Sequence, residues 1–317
     1  MASTCPICGG PSQLMYEDLY DDRYGYPGHY ELRSCDRCRH RHLVTSLSEA
    51  DISDLYRTRY PRAEIDLSRM PKFPDASAPV AWLDGARSAA FRWVPPKVRV
   101  LDIGCGSCET LAYHLSRGCE AVGFEADDNV RRIAERWGFD VRIGLFAPAE
   151  FPEAHFDVIT MDQVVEHVAE PVEFLRGVGR VLKPGGSIVV STPNSRSFAA
   201  RILGRRWMNW HSPYHLHHFS GRSLRLASEE AGLEVVGIRT LTNSDWLRLQ
   251  LMHLVTRPTY GERSPLWDAG RSERKVGRVL DWSSRAARRT RLLHPLARLA
   301  DAAGMGDNWL ARLRKPD

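Results

Sequence analysis

The 317-residue sequence has no stretch approaching the ~18–20 uninterrupted apolar residues of a membrane-spanning helix. Met1 to Gly10 lack the charged-then-apolar layout of a secretion signal, so a cytoplasmic location is the expectation. Internal repeats and low-complexity tracts are also missing, and the hydrophobic content of 43% excludes collagen-like or disordered structure as a description of the chain as a whole. Charge of one sign is in no great excess: 44 Lys and Arg against 39 Asp and Glu leave +5. The chain does have 43% hydrophobic and 26% charged residues, the balance of a globular protein with length for one large or two modest domains.

The positive excess is concentrated. Arg271, Arg274, Lys275, Arg278, Arg285, Arg288, Arg289, Arg291 and Arg298 are opposed only by Glu273 and Asp281. This is either a solvated helix face or a basic surface for lipid, nucleic acid or a phosphorylated substrate.

Seven cysteines in a reducing compartment argue against a disulfide framework. Four form two pairs, Cys5-Pro-Ile-Cys8 and Cys35-Asp-Arg-Cys38, with 26 residues between them. That pattern suits one tetrahedral zinc ion held by two tight turns, the first eased by Gly9-Gly10. The ion would staple a segment too poor in apolar residues to form a core alone. Tyr16, Tyr20, Tyr24, Tyr26, His29 and Tyr30, in the spacer, either shape a substrate entrance or pack the module. Glu17, Asp18, Asp21 and Asp22 in the same spacer argue against nucleic-acid binding.

From Ser46 to about Pro96, helical pieces are broken by Pro61, Pro71, Pro74 and Pro79. Strand-like runs then follow at Val98–Ile103, Glu120–Glu125, Phe139–Ile143, Phe156–Met161, Ser187–Thr192 and Leu233–Arg239. Helical stretches at Glu109–Arg117, Asp127–Trp137, Val172–Leu182 and Leu224–Ala231 lie between them. The alternation predicts an α/β domain, a parallel sheet with helices on both faces. It stops after Thr240. Trp246–Val255 is apolar nearly all round, Glu273–Ala300 has helical spacing interrupted by Pro295, and Asp307–Leu313 reads as a closing strand.

The chemistry concentrates in Val100-Leu101-Asp102-Ile103-Gly104-Cys105-Gly106-Ser107-Cys108. A strand ends in an acid, glycines turn the chain tightly against a ligand, and a helix follows. Gly104 and Gly106 supply only two of the three glycines of a dinucleotide fingerprint, and Asp102 would repel phosphates. A positively charged ligand is favoured. Glu125, in Gly123-Phe124-Glu125-Ala126-Asp127, ends the next strand and can accept from both ribose hydroxyls.

At these residues the sequence resembles the class I S-adenosylmethionine-dependent methyltransferases, from about Val98 to Arg239. The resemblance extends to Phe156-Asp157-Val158-Ile159-Thr160, Glu166-His167-Val168, Leu182-Lys183-Pro184-Gly185-Gly186 and Ser191-Thr192-Pro193-Asn194. Within that superfamily the chain is similar to the ubiquinone-biosynthesis O-methyltransferase branch and its polysaccharide and natural-product relatives. The resemblance implies a Rossmann-like sheet in which Asp102, Gly104 and Gly106 line the methionine end and Glu125, beside Ala126, holds the ribose. It implies that Asp162 and Gln163 border the cofactor and that Phe146 lies near the adenine. Cys108 stands where many members have a third glycine. Gly144-Leu145-Phe146 replaces the acid that usually holds the adenine amino group.

Methyl transfer from a sulfonium to a hydroxyl needs alignment, exclusion of water and removal of a proton. Trp210-His211-Ser212-Pro213-Tyr214-His215-Leu216-His217-His218-Phe219-Ser220 offers the bases, and Pro213, His215 and Phe219 match a Pro-x-His-x-x-x-Phe segment of the resembling enzymes. His215 is the first candidate for general base, His218 the second, and His167 a third that would face the acceptor. The competing reading makes these histidines hydrogen-bonding props of the loop. Some resembling enzymes use a divalent cation, but no run of carboxylates accompanies this cluster.

The expected organisation is a zinc module at 1–45, a helical linker or cap at 46–96, a cofactor-binding core at 97–241, a helical insert at 242–305 and a closing strand at 306–317. Comparable zinc modules in the resembling enzymes cap the acceptor cleft. The insert is a lid, a homodimer surface or a membrane-surface contact. The expected reaction methylates a hydroxyl of a small-molecule or carrier-linked acceptor. Sugar carbon methylation, RNA methylation and a non-catalytic cofactor-binding subunit are the alternatives.

Overall fold

The apolar runs beyond residue 98 assemble into one seven-stranded sheet. The computed structural model describes residues 4–45, 77–267 and 293–317, with Leu47, Asp51, Leu55, Thr58, Arg59 and Met70 besides. Strands β4 (Arg99–Ile103), β5 (Glu120–Glu125), β6 (Val141–Ile143), β7 (Phe156–Asp162) and β8 (Leu182–Pro193) run parallel; β10 (Glu234–Thr240) and β11 (Asn308–Arg314) complete the sheet. The order is β10-β11-β8-β7-β4-β5-β6, with β11 antiparallel to both neighbours. The last strand thus closes the sheet by inserting between β8 and β10, as the 307–313 run predicts.

Period-two alternation sorts side chains to two cores. Leu101 and Ile103 join Ile159, Leu175, Val178 and Leu224 on one face, while Val100 and Val158 join Leu111 and Ile133 on the other. The helices over those faces are α2 (Glu109–Ser116), α3 (Arg131–Trp137), α4 (Pro171–Val181) and α6 (Gly221–Glu230). Pro171 opens α4 at a position where no amide is needed, and Ser220 caps α6 in a reciprocal capping box with Ser223. Lys183-Pro184-Gly185-Gly186 ends α4 as expected, yet it lies within β8, because Leu182 already pairs with Phe156.

The N-terminal segment is a second sheet. Strands β1 (Ser12–Leu19), β2 (Tyr30–Cys35) and β3 (Arg41–Val44) form an antiparallel meander. Its fourth strand, β9 (His217–His218), comes from the histidine loop of the larger domain and pairs Arg41 with His218 and His42 with His217. The module borrows its core too: Leu19, Tyr30, Leu32 and Leu43 pack on Ala200, Trp207 and Trp210. This resolves the shortage of apolar residues between 1 and 45.

In the insert, α7 (Ser244–Thr256) buries Arg248, Gln250, Met252 and His253 and exposes Leu251 and Val255, so it faces inward with polar groups. After α1 (Ala78–Asp84) and α5 (Phe198–Leu203), the last helix, α8 (Leu293–Ala302), is tied to α1 by Arg298, which donates to the Trp82 carbonyl at 2.8 Å. Of the basic stretch, Arg271 to Arg291 lie outside the described residues, as does most of the proline-broken 46–76 segment. No helix among the described residues is long and apolar enough to cross a membrane.

Candidate active site

The carboxyl ends of β4, β5 and β7 open into a cavity of about 680 Å³, at the point where strand order reverses between β4 and β7. Gly104 turns the chain with φ +76°, and a Cβ there would meet Val164 Cγ2 at 2.5 Å, so only glycine fits. Cys108 also takes a left-handed conformation, φ 65°, just before α2. It occupies a glycine-type backbone position despite its side chain, which is wholly buried.

The carboxylates have separate tasks. Asp102 is 1% exposed, accepts from Thr160 Oγ1 at 2.7 Å and from Thr110 Oγ1, and is pushed up to about 7 by burial. It sits beneath the turn and holds it. Glu125 reaches the cavity wall, accepting the Gly106 amide at 2.9 Å and the Asp127 amide at 3.1 Å. Gly106 is therefore fastened to Glu125 and does not itself line the wall. Asp162 lines the cavity and accepts the Ala90 amide at 2.6 Å, with burial raising it to about 6. Gln163 donates to Ser191 Oγ at 2.9 Å and Asn308 Oδ1 at 3.0 Å. Ala126 and Phe146 also face the cavity, Phe146 edge-on to Phe124 and Phe174. These three rings make an apolar slot at the place predicted for an adenine.

At the other end stand histidines. His215 Nδ1 lies 2.9 Å from the Asn209 carbonyl, and His167 Nδ1 lies 2.8 Å from the Tyr214 carbonyl. A carbonyl only accepts, so each neutral ring carries its proton on Nδ1 and a lone pair on Nε2. Both line the cavity, rings 4.6 Å apart and edge to face. Burial, followed by the charges of His167, His218 and Arg23, holds His215 well below the usual histidine range. Glu166 sits behind them. One of its oxygens accepts from Thr192 Oγ1 at 2.8 Å, the other is buried without a partner, and burial pushes the carboxyl up to about 8. An oxygen of Glu166 and a nitrogen from each of His167 and His215 lie within 4.8 Å of one another, a set able to hold a metal ion. His218 lies behind the wall, its ring 6.2 Å from that of His215: it pairs with the module in β9 and its Nε2 donates to the Trp210 carbonyl at 3.1 Å.

The four cysteines converge. Cys5 and Cys38 sulfurs are 3.5 Å apart, as are those of Cys8 and Cys35, and all four lie within 4.8 Å of one another. Zinc–sulfur bonds of ~2.3 Å in a tetrahedron put sulfurs ~3.8 Å apart, so the donor set fits one zinc ion. The two turns are alike: Gly9 and Arg39, both with positive φ, donate back to the carbonyls of Cys5 and Cys35. Ser220 Oγ donates to the Cys38 carbonyl at 3.0 Å, joining the cysteine turn to the cap of α6.

The spacer aromatics do not line the cavity. Tyr24 packs edge-on to Tyr214, Tyr16 on Trp210, and His29 stacks on Tyr260 at 4.5 Å, so they dock the module. Sequence reasoning missed Arg23, Asn209, Phe174 and Trp246, and named His211 only within the histidine-rich segment; all five are in the wall. Phe174 was reachable from the inward spacing of α4; the others come from segments that only tertiary packing brings together.

A family model for the methyltransferase domain matches residues 57–238, more than half of the chain, and the chain belongs to that family. It is 34% identical over 154 residues to a ubiquinone biosynthesis O-methyltransferase of Maricaulis maris, covering 44% of this chain and 59% of that protein. The namesake of Pseudomonas entomophila is 31% identical over 176 residues, covering 51% and 73%. Several matched relatives are thus spanned over only half to three-fifths of their length. Among solved structures, an S-adenosylmethionine dependent methyltransferase from Mesorhizobium loti aligns with a TM-score of 0.45 at 14% identity, covering 74% of this chain and 97% of that one.

Proposed function

We propose that the protein transfers the methyl group of S-adenosylmethionine to a hydroxyl of a small-molecule or carrier-linked acceptor, with His215 as general base. The observation that carries this reading is one continuous cavity with Gly104, Glu125 and an aromatic slot at one end and the His167–His215 pair at the other. Asp102, Glu125 and Asp162 give the cofactor end a field suited to a sulfonium. The named activity of the matched relatives favours oxygen as the nucleophile.

Burial makes His215 a reluctant base on its own, but the reaction conserves charge. The sulfonium becomes a neutral thioether as the imidazole takes the hydroxyl proton, so one cation replaces another in the same cavity. The Asn209 carbonyl fixes the tautomer that makes this transfer feasible. Zinc in the cysteine cluster is structural in this reading, and the protein works in the cytoplasm. Binding of S-adenosylhomocysteine, followed by mass spectrometry of candidate acceptors, tests the proposal; folded protein that takes up no S-adenosylhomocysteine overturns it.

The Glu166–His167–His215 spacing favours a second reading, in which a divalent cation at those atoms polarises the acceptor hydroxyl. Turnover lost on chelation and restored by magnesium, with zinc unable to replace it, would select that version.

A further inference from the structure

The N-terminal module places a cation in the wall of the cavity. Arg23 is 5% exposed and is the only arginine or lysine among the described residues of that wall. Its loop is rigid: the amides of Arg23, Tyr24 and Tyr26 all donate to the Asp21 carboxylate at 2.9 Å. The guanidinium lies against the Trp267 ring, Cζ 4.5 Å from its centroid, and Nη2 donates to the Met208 carbonyl at 2.8 Å. Nε is buried with no acceptor.

No carboxylate among the described residues forms an ion pair with it. Asp21 is occupied by the three amides, and Asp22 by His253 Nε2 at 3.1 Å and Arg257 Nε at 3.2 Å. A guanidinium in a low-dielectric wall is costly to maintain unless a counter-charge arrives, and its fork matches a carboxylate or phosphate. Met208, on which it leans, adjoins Asn209, the residue that anchors His215. The cation, without an ion pair among the described residues, therefore stands at the histidine end of the cavity.

We infer that the acceptor carries an oxyanion, carboxylate or phosphate, besides the hydroxyl that is methylated, and that Arg23 selects it. This rests on the methyltransferase reading and deepens it. The neutral ring of Trp267 on one side and a carbonyl on another leave the remaining donors to the ligand.

The test uses full-length, zinc-loaded protein saturated with S-adenosylhomocysteine and two matched pairs of probes: 3,4-dihydroxybenzoate with 3,4-dihydroxybenzamide, and glucose 6-phosphate with glucose. Calorimetry or ligand-observed NMR is expected to show one anionic member, and its identity tells carboxylate from phosphate, bound at least ~10-fold tighter than its neutral partner. R23Q should erase that preference, and R23K should keep part of it, without changing S-adenosylhomocysteine affinity. Should R23Q loosen the module, seen as a lower Tm, the wild-type pairs and R23K still decide. Equal binding within both pairs, or no binding of any probe to loaded protein, overturns the inference; failure to load S-adenosylhomocysteine overturns instead the reading beneath it.

Discussion

The two ends of the cavity are built differently. The cofactor end rests on three adjacent strands of one sheet, and its Glu125 and Asp162 accept backbone amides from Gly106 and Ala90, all within residues 90–162. The acceptor end is assembled from pieces far apart in sequence: Arg23 from the module, His167 after β7, Asn209 to His215 from the loop, and Trp246 from α7. The first kind of site survives changes elsewhere because its scaffold is the core. The second depends on every segment docking at once, and β9, shared between module and loop, is the joint.

The harshest way to break that contrast is to unbuild the module. Cys35→Ser removes one of four converging sulfurs, and with it the four-sulfur site proposed for zinc. Methyl transfer should fall by ~10²-fold or more while S-adenosylhomocysteine affinity stays within ~3-fold, as metal analysis, turnover and calorimetry would report. A C35S protein with normal turnover would mean the acceptor end does not need the module. Comparable in size is His215→Ala, expected to cost ~10²–10⁴-fold in kcat, the usual worth of a general base, again with cofactor binding intact. Full activity in H215A would hand the role to His167 and would count against a metal at Glu166, His167 and His215 as well.

The same contrast explains what was legible in the sequence. The succession of strands and helices, the Gly104 turn, the acid ending the next strand and the cysteine spacing were readable because each follows from a short local pattern; the order of the strands in the sheet was not. Even Cys108 declared a glycine-type position, and its φ of 65° agrees. The acceptor end was half legible. His215 and His167 stood out as residue types, but nothing local showed that His218 would be spent on strand pairing or that Tyr16 and Tyr24 would dock a module. Arg23 was invisible because its meaning lies in what it lacks, a carboxylate partner, and absence of a partner is a property of packing alone. The polar inner face of α7 was misread for a similar cause: Gln250 and His253 are inside because Met208 and Asp22 wait there for them.

Gly104→Ala probes the cofactor end alone. The new methyl meets Val164 Cγ2 at 2.5 Å on a left-handed backbone, a strain of about 1–2 kcal/mol. The KM for S-adenosylmethionine should rise roughly 10-fold with the acceptor KM unchanged, and V164A added to G104A should recover the part due to the clash. Equal changes in both KM values would show that the two ends are not separable.

The smallest effect is the most diagnostic of charge. Asp102 is raised from an ordinary ~3.9 to about 7 and Asp162 to about 6, both chiefly by burial. Raised carboxyls contribute stability that is fully present below about pH 4 and is lost as pH climbs through 6 and 7, so the unliganded fold should lose Tm between pH 5 and pH 8 from these groups. A sulfonium bound above them favours their ionised forms and reverses the trend for the complex. S-Adenosylmethionine affinity should therefore gain on that of S-adenosylhomocysteine by ~3-fold between pH 5 and pH 8, since the two differ only by the methyl and its charge. Asp102→Asn, which can still accept from one threonine hydroxyl, should flatten the ratio. If the two affinities run parallel across that range in wild-type protein, the carboxylates are scaffolding for the turn and the preference for a cationic cofactor must come from shape.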